Sequence, residues 1–449
     1  MSAGEIMDTS AFVQSFREAA PYIHTFRGQT FVIGFGGELV ESDRFSQLSH
    51  DINLLVSLGI RIVLVHGARP QVESLLALRG QTRQHHRGRR ITDATAMDAV
   101  KYGIGYTRAE IEAQLSVALP DSPMAGANLR VAGGNYLVAC PMGVLDGVDM
   151  QYSGAVRRVD TQAITQRLAA GELVLLSPIG YSPTGESFSL SMEEVAAHTA
   201  TSLKADKLMY LVDTPTGVHS ASGQLLREFS PEEGQAWLES SADHLPGEFR
   251  LCFASAIKAA GLGVKRCHLV SQSVDGALLK ELFTHAGSGT VVSDAPLVVL
   301  RQARFDDLQR LLQIIRPLEQ EGKLVPREEE MIELNLDHYT VVEHDGKLTG
   351  CVAMFDYPEA GMAELCCLAV APPWRFRGYG EALLHHVEQR ARDKHIDTLF
   401  VLTTQTAHFF IERGFALTSP DVLPPVKRQH YNPERGSKVL VRRLSTPHA

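Results

Sequence analysis

Several large classes of protein are excluded by what this 449-residue chain has little of. Its six cysteines, Cys140, Cys252, Cys267, Cys351, Cys366 and Cys367, form no Cys-x-x-Cys pair and no cluster with zinc-ligand spacing. They read as reduced thiols, and no metal is expected. No apolar run reaches the roughly 18 residues that a membrane helix needs. The start, Met1-Ser2-Ala3-Gly4-Glu5, lacks the basic-then-apolar order of an export signal. A cytoplasmic location without membrane contact is expected. Basic residues are in the minority, 43 Lys+Arg against 52 Asp+Glu for a net charge of -9, and no long block is rich in them. The electrostatic footprint of phosphate-backbone binding is missing, so nucleic acid is not an expected partner. Low-complexity tracts and short-period repeats are absent too, which argues against solenoids and propellers.

What remains is 44% apolar residues, ordinary for packed cores, and a length that allows about three domains of roughly 150 residues. Residues 11–25 carry Phe12, Val13, Phe16, Ala19, Ala20 and Ile23 at near-helical spacing. Pro21 predicts a break or kink near the end of that helix. Thr30-Phe31-Val32-Ile33 runs into Gly34-Phe35-Gly36-Gly37, and Ile60 to Val65 into His66-Gly67, each followed by a helical stretch. Strand, glycine turn, helix, repeated, is the grammar of a parallel sheet covered by helices, so the class is α/β. The same grammar recurs at 173–178, 207–213 and 265–270. Residues 230–247 are acidic and are expected to be irregular surface. The basic cluster Arg83, His85, His86, Arg87, Arg89 and Arg90 reads as a solvated loop. Near 295 the pattern ends. Strands at 339–343 and 348–355, joined by His344-Asp345-Gly346-Lys347, then predict a β-hairpin. Two domains are expected, 1–295 and 296–449.

The most informative stretch is Glu364 to Leu384, a strand, a turn rich in arginine and glycine, and a helix from about Gly380 to Lys394. An Arg375-x-x-Gly378-x-Gly380 turn opening a helix offers backbone N–H groups and the positive end of a dipole to a diphosphate. The bland alternative is a tight turn. The order hairpin, strand, turn, helix, strand resembles the GNAT-type acetyltransferases, an α+β fold in which Gln/Arg-x-x-Gly-x-Gly/Ala holds the pyrophosphate of acetyl-CoA. The resemblance extends to the strand Leu399–Thr404 and to Ala407 through Glu412-Arg413-Gly414-Phe415. It implies acetyl-CoA contacts at Arg375, Arg377, Gly378, Gly380 and Glu381. The backbone of Cys367, Leu368 and Val370 would pair with the pantetheine arm where that strand splays from its neighbour. Glu364 would accept the ammonium proton, unless it is a solvated strand-end glutamate. Many relatives protonate the leaving thiolate with a tyrosine, but Phe409 and Phe410 stand here, so Thr403 or water is the candidate. Cys366 and Cys367, without an activating histidine, read as small apolar strand residues rather than acetyl carriers.

The first unit resembles the amino-acid kinase fold of the acetylglutamate kinases, an open-sheet sandwich, through Phe31–Gly37, His66–Val72 and Leu203–Leu208. Active kinases carry Lys-x-Gly-Gly where this chain has Gly34, and a second lysine is missing around Arg250-Leu251-Cys252-Phe253. Without those charges phosphoryl transfer loses its electrostatic stabilisation. One family joins such a degenerate kinase unit to an acetyltransferase unit: the bacterial N-acetylglutamate synthases. Residues carrying that whole-chain resemblance include Ala20–Ile23, Ile91–Asp93, Gly185–Phe188, Asp275–Leu279, Ile315–Glu319 and Phe400–Thr404. It implies acetyl transfer from acetyl-CoA to L-glutamate at the first step of arginine synthesis. Arg327 and Arg435 would hold the substrate carboxylates. L-arginine would inhibit from a pocket of Tyr22, His268, Ser271, Glu281 and Gly287, and a homo-oligomer, a hexamer, would assemble through the N-terminal helix. The alternatives are an arginine-sensing protein with a vestigial acetyltransferase unit, and a surviving acetylglutamate kinase.

Overall fold

The computed structural model describes residues 9–81, 84–86, 89–213, 217–220, 223, 225–241, 245–284, 287–294, 298–344, 346–375 and 378–444. The chain divides into two compact units, Met1–Ala295 and Pro296–Ala449.

The first unit is built on an eight-stranded sheet. Its strands are β1 (Thr30–Phe35), β2 (Arg61–His66), β3 (Val131–Ala132), β4 (Leu173–Leu176), β5 (Lys207–Val212), β6 (Glu228–Phe229), β7 (Arg266–Ser271) and β8 (Thr290–Val292), in the order β6-β8-β7-β5-β1-β2-β4-β3. All neighbours are parallel except β7 and β8. The central strands read as unbroken apolar runs because both faces are covered. Phe31, Ile33 and Leu64 enter one core, and Val32, Val63 and Val65 the other. Around the sheet lie α1 (Thr9–Phe26), α2 (Arg69–Leu78), α3 (Met192–Leu203), α4 (Pro231–Ser241), α5 (Gly247–Gly261) and α6 (Ala277–Phe283). The glycine turns Gly36-Gly37 and Gly67 follow the carboxyl ends of β1 and β2, where ligands of open α/β sheets bind.

Three expectations are corrected here. Pro21 neither ends nor divides α1, which runs through it to Phe26. The missing N–H removes a single bond, to the Arg17 carbonyl, one turn before the helix ends anyway. Residues 231–241 are helical. Ser230 accepts from the Glu233 amide at 3.1 Å while Glu233 accepts from the Ser230 amide at 2.9 Å, a capping box with Pro231 opening the helix. That helix packs Trp237 on Phe253 and Phe229, with ring centroids 5.8 and 6.1 Å away. Finally, the basic cluster is not simply solvated. His85-His86 and Arg89-Arg90 pair as a short hairpin, with Arg89 bridged to Glu194, Arg90 to Glu73 at 3.3 Å and His86 to Asp146 at 3.1 Å. Arg83 and Arg87 lie outside the described residues.

The second unit is a seven-stranded sheet of β9 (Val298–Gln302), β10 (Tyr339–His344), β11 (Lys347–Tyr357), β12 (Met362–Val370), β13 (Thr398–Thr403), β14 (Ala416–Thr418) and β15 (Lys438–Arg443), ordered β9-β10-β11-β12-β13-β15-β14. The β10–β11 hairpin falls where the turn residues predict it; Asp345 of that turn lies outside the described residues. Helix α7 (Leu308–Gln320) covers one face and α8 (Tyr379–Asp393) the other. Two shorter helices, α9 (Ala407–Ile411) and α10 (Pro425–Gln429), follow. Among the described residues no helix is long and apolar enough to cross a membrane, and no group of three or more His, Cys, Asp or Glu could hold a metal ion.

Candidate functional site

The second unit has one parallel strand pair, and it opens into a fork. β12 and β13 are in register from Met362↔Thr398 to Leu365↔Val401 and no further, while β12 stays paired with β11 on its other side up to Val370. The amide of Ala371 donates to the Thr349 carbonyl at 2.9 Å. Strand alternation therefore turns Ala369 towards β11, and Leu368 and Val370 towards the open side. Cys367 differs from the expectation for it. It is the residue of a bulge, with φ +51°, so its amide falls outside that alternation.

At the end of the fork the chain passes through Arg375, whose Nε donates to the Val370 carbonyl at 3.2 Å, into the start of α8. Phe376 and Arg377 lie outside the described residues. Gly378 caps the helix at φ +83°, ψ -5°, a left-handed conformation that costs a side chain strain, with open space around it. The first intrahelical bond runs from the Ala382 amide to the Gly378 carbonyl at 2.9 Å. The amides of Gly380 and Glu381 lie ahead of it, aimed out of the helix start. The Glu381 side chain turns away towards Arg413, 3.8 Å off, so only its backbone suits an anion. The Phe409 ring lies against Gly380, 3.6 Å from where a Cβ would be. A fork of open strand amides leading to a helix N-terminus is a seat for an extended ligand with a diphosphate.

Beside the fork, the face of the sheet away from α8 carries Glu364 and, near it, Arg327. Glu364, 5% exposed, pairs with Phe400 on β13. Its carboxylate meets Lys427 of α10 at 2.7 Å and accepts from the Tyr357 hydroxyl at 3.4 Å. It is a buried, ion-paired carboxylate and not a solvated strand end. Arg327 follows α7. Its amide donates to Glu319 at 3.0 Å, and its guanidinium contacts the Cys367 sulfur and feels the charges of Cys366, Tyr339 and Glu364. Thr403 closes β13, its hydroxyl 2.8 Å from that of Thr406 and accepting from the Thr406 amide at 3.0 Å. Arg435 is half-exposed in the turn before β15 and has no hydrogen-bond or ion-pair partner among the described residues. Lys427, Tyr357 and Tyr339 went unnoticed in the sequence. Only the register of β12 and the path of the 419–437 segment bring them near Glu364 and Arg327.

In the first unit, three of the five residues expected to form the arginine pocket, His268, Glu281 and Gly287, come together beside β7, while the Ser271 side chain falls on the opposite face of that strand. His268 donates from Nδ1 to Glu281 at 2.7 Å, and Lys207 lies 3.4 Å from its other nitrogen. The Ser288 amide and, at 2.9 Å, the Gly289 amide donate to the same carboxylate. Gly287 opens that loop and Ser271 ends β7. Tyr22 connects through α1: its ring is 6.0 Å from Phe26, over which Lys207 sits at 5.1 Å. Burial alone would raise the Glu281 carboxyl. The His268 hydrogen bond and charge and the two amides outweigh it and hold the group down at about 2. Glu281 thus clamps the 287–289 loop as well as facing the pocket. A depressed pKa stabilises the fold above the unfolded value, near 4.5, and is lost as pH falls through the folded one. Glu281→Gln is expected to lower unfolding stability by about 3 kcal/mol at neutral pH, with the gap to wild type closing between about pH 4.5 and pH 2. Denaturant unfolding across that range, where a constant gap would mean the clamp is not ionic, checks it.

The glycine turns of the same unit border a cavity of about 640 Å³ lined by Gly37, Arg69, Arg89, Glu193, Glu248 and Leu251. A Cβ on Gly34 would stand 2.9 Å from Met192 Sδ and 3.1 Å from the Tyr210 ring. Tyr210 is fixed there by donating to the Glu193 carbonyl at 2.7 Å. A lysine at that position would have to push Met192 and Tyr210 aside.

A model of the amino acid kinase family matches residues 29–271, and one of the GNAT acetyltransferase family matches residues 306–415. The amino-acid acetyltransferase of Ralstonia nicotianae is 47% identical over 96% of this chain and 95% of its own. The crystal structure of N-acetylglutamate synthase from Neisseria gonorrhoeae with coenzyme A and L-arginine is 40% identical, covers 97% of this chain and 100% of its own, and superposes with a TM-score of 0.88. A structure of the same enzyme with coenzyme A and N-acetyl-glutamate is 41% identical over the same shares, with a TM-score of 0.62.

Proposed function

Because the chain belongs to the amino-acid acetyltransferase family, with acetyl-CoA as cosubstrate, we propose that its acetyl acceptor is the α-amine of L-glutamate, giving N-acetyl-L-glutamate and CoA. The observation that carries this reading is the buried Glu364 carboxylate at the fork of β12 and β13, within electrostatic reach of the Arg327 guanidinium. A dicarboxylate amine needs a base near its nitrogen and a fixed cation for its carboxylates, and one face of one sheet supplies both.

In this mechanism the helix start at Gly378, Gly380 and Glu381, with Arg375, holds the pyrophosphate. The open amides of Leu368 and Val370 align the pantetheine arm and place the thioester at the mouth of the fork. Arg327 and Arg435 take the carboxylates of glutamate. Glu364, held by Lys427, removes the ammonium proton, and the free amine attacks the thioester carbonyl. The departing thiolate takes its proton from the hydroxyl of Thr403, which lies 2.8 Å from that of Thr406, or from water.

L-arginine is the proposed feedback inhibitor, bound where His268, Glu281 and the 287–289 loop converge beside α1, with Ser271 expected at the edge of the pocket. A role at the first step of arginine synthesis is part of the same reading. A homo-oligomer joined through α1 belongs to the same reading: Phe12 and Phe16 stack on its surface, 51% and 61% exposed, with centroids 6.1 Å apart. We further propose that the first unit is no kinase, since Gly34 stands where one catalytic lysine is needed and the stretch Arg250-Leu251-Cys252-Phe253 carries no lysine where the second is expected. The test is thiol release from acetyl-CoA by the full chain, with glutamate and with other amino acids, with and without arginine. Glutamate-dependent release suppressed by arginine is expected. Acetyl-CoA binding without release would instead make the chain an arginine sensor with a vestigial unit.

A further inference from the structure

Cys367 sits where neither motif accounts for it. Consecutive residues of a regular strand face opposite ways, yet Cys366 and Cys367 both pack on the α7 face, because the bulge turns Cys367 through a positive φ. This puts the Cys367 sulfur against the Arg327 guanidinium, with the Tyr339 hydroxyl 3.8 Å away and Cys366 packed on the same face. From β11, Cys351 donates to the Cys367 carbonyl at 3.6 Å. From α7, Glu319 is the one opposing charge, and it is engaged by the Arg327 amide at 3.0 Å. The other polar groups facing the sulfur are donors or a cation.

Resting on the reading of Arg327 as a glutamate carboxylate site, we propose that Cys367 is the resident counter-ion of Arg327. As a thiolate it positions the guanidinium. The substrate's side-chain carboxylate then displaces it, and the sulfur takes up one proton from solvent to become a thiol. No covalent bond to substrate forms and no oxidant is needed. Two anions cannot share one cation in a desolvated pocket without one of them accepting a proton, and the weaker acid accepts it. The hydrogen bond from Cys366 first, then the Arg327 charge and Tyr339, outweigh burial and hold the Cys367 thiol down at about 7, so the exchange falls in the physiological range. Cys367 is thereby a positioning residue that favours an acidic side chain over its amide, since glutamine carries no second carboxylate to displace the sulfur.

Calorimetry of glutamate binding to the full-length enzyme with CoA, in buffers of different ionisation enthalpy, reads the proton directly. Uptake of about one proton per glutamate is expected well above the thiol's midpoint, falling towards none below it. Across the same range the KM for glutamate is expected to rise by about tenfold per pH unit in the wild type. Cys367→Ser should show no uptake and a level KM, while Cys366→Ser retains uptake. Equal uptake in wild type and Cys367→Ser, or parallel KM profiles, would overturn the proposal. Should the serine variant not fold, thiolate ultraviolet absorbance in the wild type decides: it must fall on adding glutamate and not on adding glutamine. Turnover in the same samples separates the two readings, because glutamate acetylation without proton uptake defeats only the role of Cys367.

Discussion

Replacing Glu364 by glutamine is expected to lower kcat by roughly 10²–10⁴-fold, the usual worth of a positioned general base, with the KM for acetyl-CoA little changed. The separation follows from placement. Glu364 faces away from α8, whereas the proposed pyrophosphate seat is at the start of α8, so on this reading cofactor binding does not depend on the carboxylate. Glutamine keeps the volume and can still accept from Tyr357, but leaves Lys427 without its anion 2.7 Å away. Some loss of stability therefore accompanies the loss of rate, and rate alone would not identify a base. The pH dependence does. As pH rises, a growing fraction of glutamate carries a free amine and no longer needs a base, so the deficit of the variant should narrow. A deficit constant from neutral to alkaline pH would remove Glu364 from the proton path and leave it as the partner that positions Lys427.

The difference between what the sequence disclosed and what it hid is mostly one of range. The βαβ rhythm, the β10–β11 hairpin and the turn into α8 are written in runs of a few residues: apolar strands, His344-Asp345-Gly346-Lys347, and Gly378. Each is a local backbone preference that the packed chain had no cause to override. The one legible signal passed over was also local, Ser230-Pro231-Glu232-Glu233, a capping box hidden by the acidic composition around it. The site partners are another matter. Lys427 reaches Glu364 only because a late segment folds back across β12 and β13, and Lys207 reaches His268 because β5 and β7 are neighbours in the sheet. Cys367 depended on a bulge, and nothing in Leu365-Cys366-Cys367-Leu368 announces that two consecutive residues will share a face. The placing of its sulfur against Arg327 and near the Tyr339 hydroxyl is likewise written in no local pattern.

Gly378 should tolerate alanine and not valine, and the contrast isolates conformation from space. Nothing lies within 4 Å of the Cβ that would be added there, so neither side chain meets a neighbour. What both meet is the positive φ of +83°, which costs an ordinary residue about 1–2 kcal/mol and a β-branched one more. Alanine is therefore expected to raise the KM for acetyl-CoA by about 5- to 30-fold, the strain being relaxed in the free enzyme and restored when the diphosphate binds. Valine, at about 3 kcal/mol, is expected to move Gly378 into an ordinary region and swing the Gly380 and Glu381 amides off the diphosphate, a loss of about 100-fold or more in acetyl-CoA affinity. The proposed glutamate site is on the other face of the sheet, so what turnover remains at saturating acetyl-CoA should show an unaltered KM for glutamate. CoA binding by calorimetry gives the first number without relying on turnover. If dephospho-CoA and pantetheine, the second of which lacks the diphosphate, lose affinity in proportion to CoA, the helix start is not the pyrophosphate seat. A loss confined to the diphosphate-bearing ligands is the expected result, because only they reach α8.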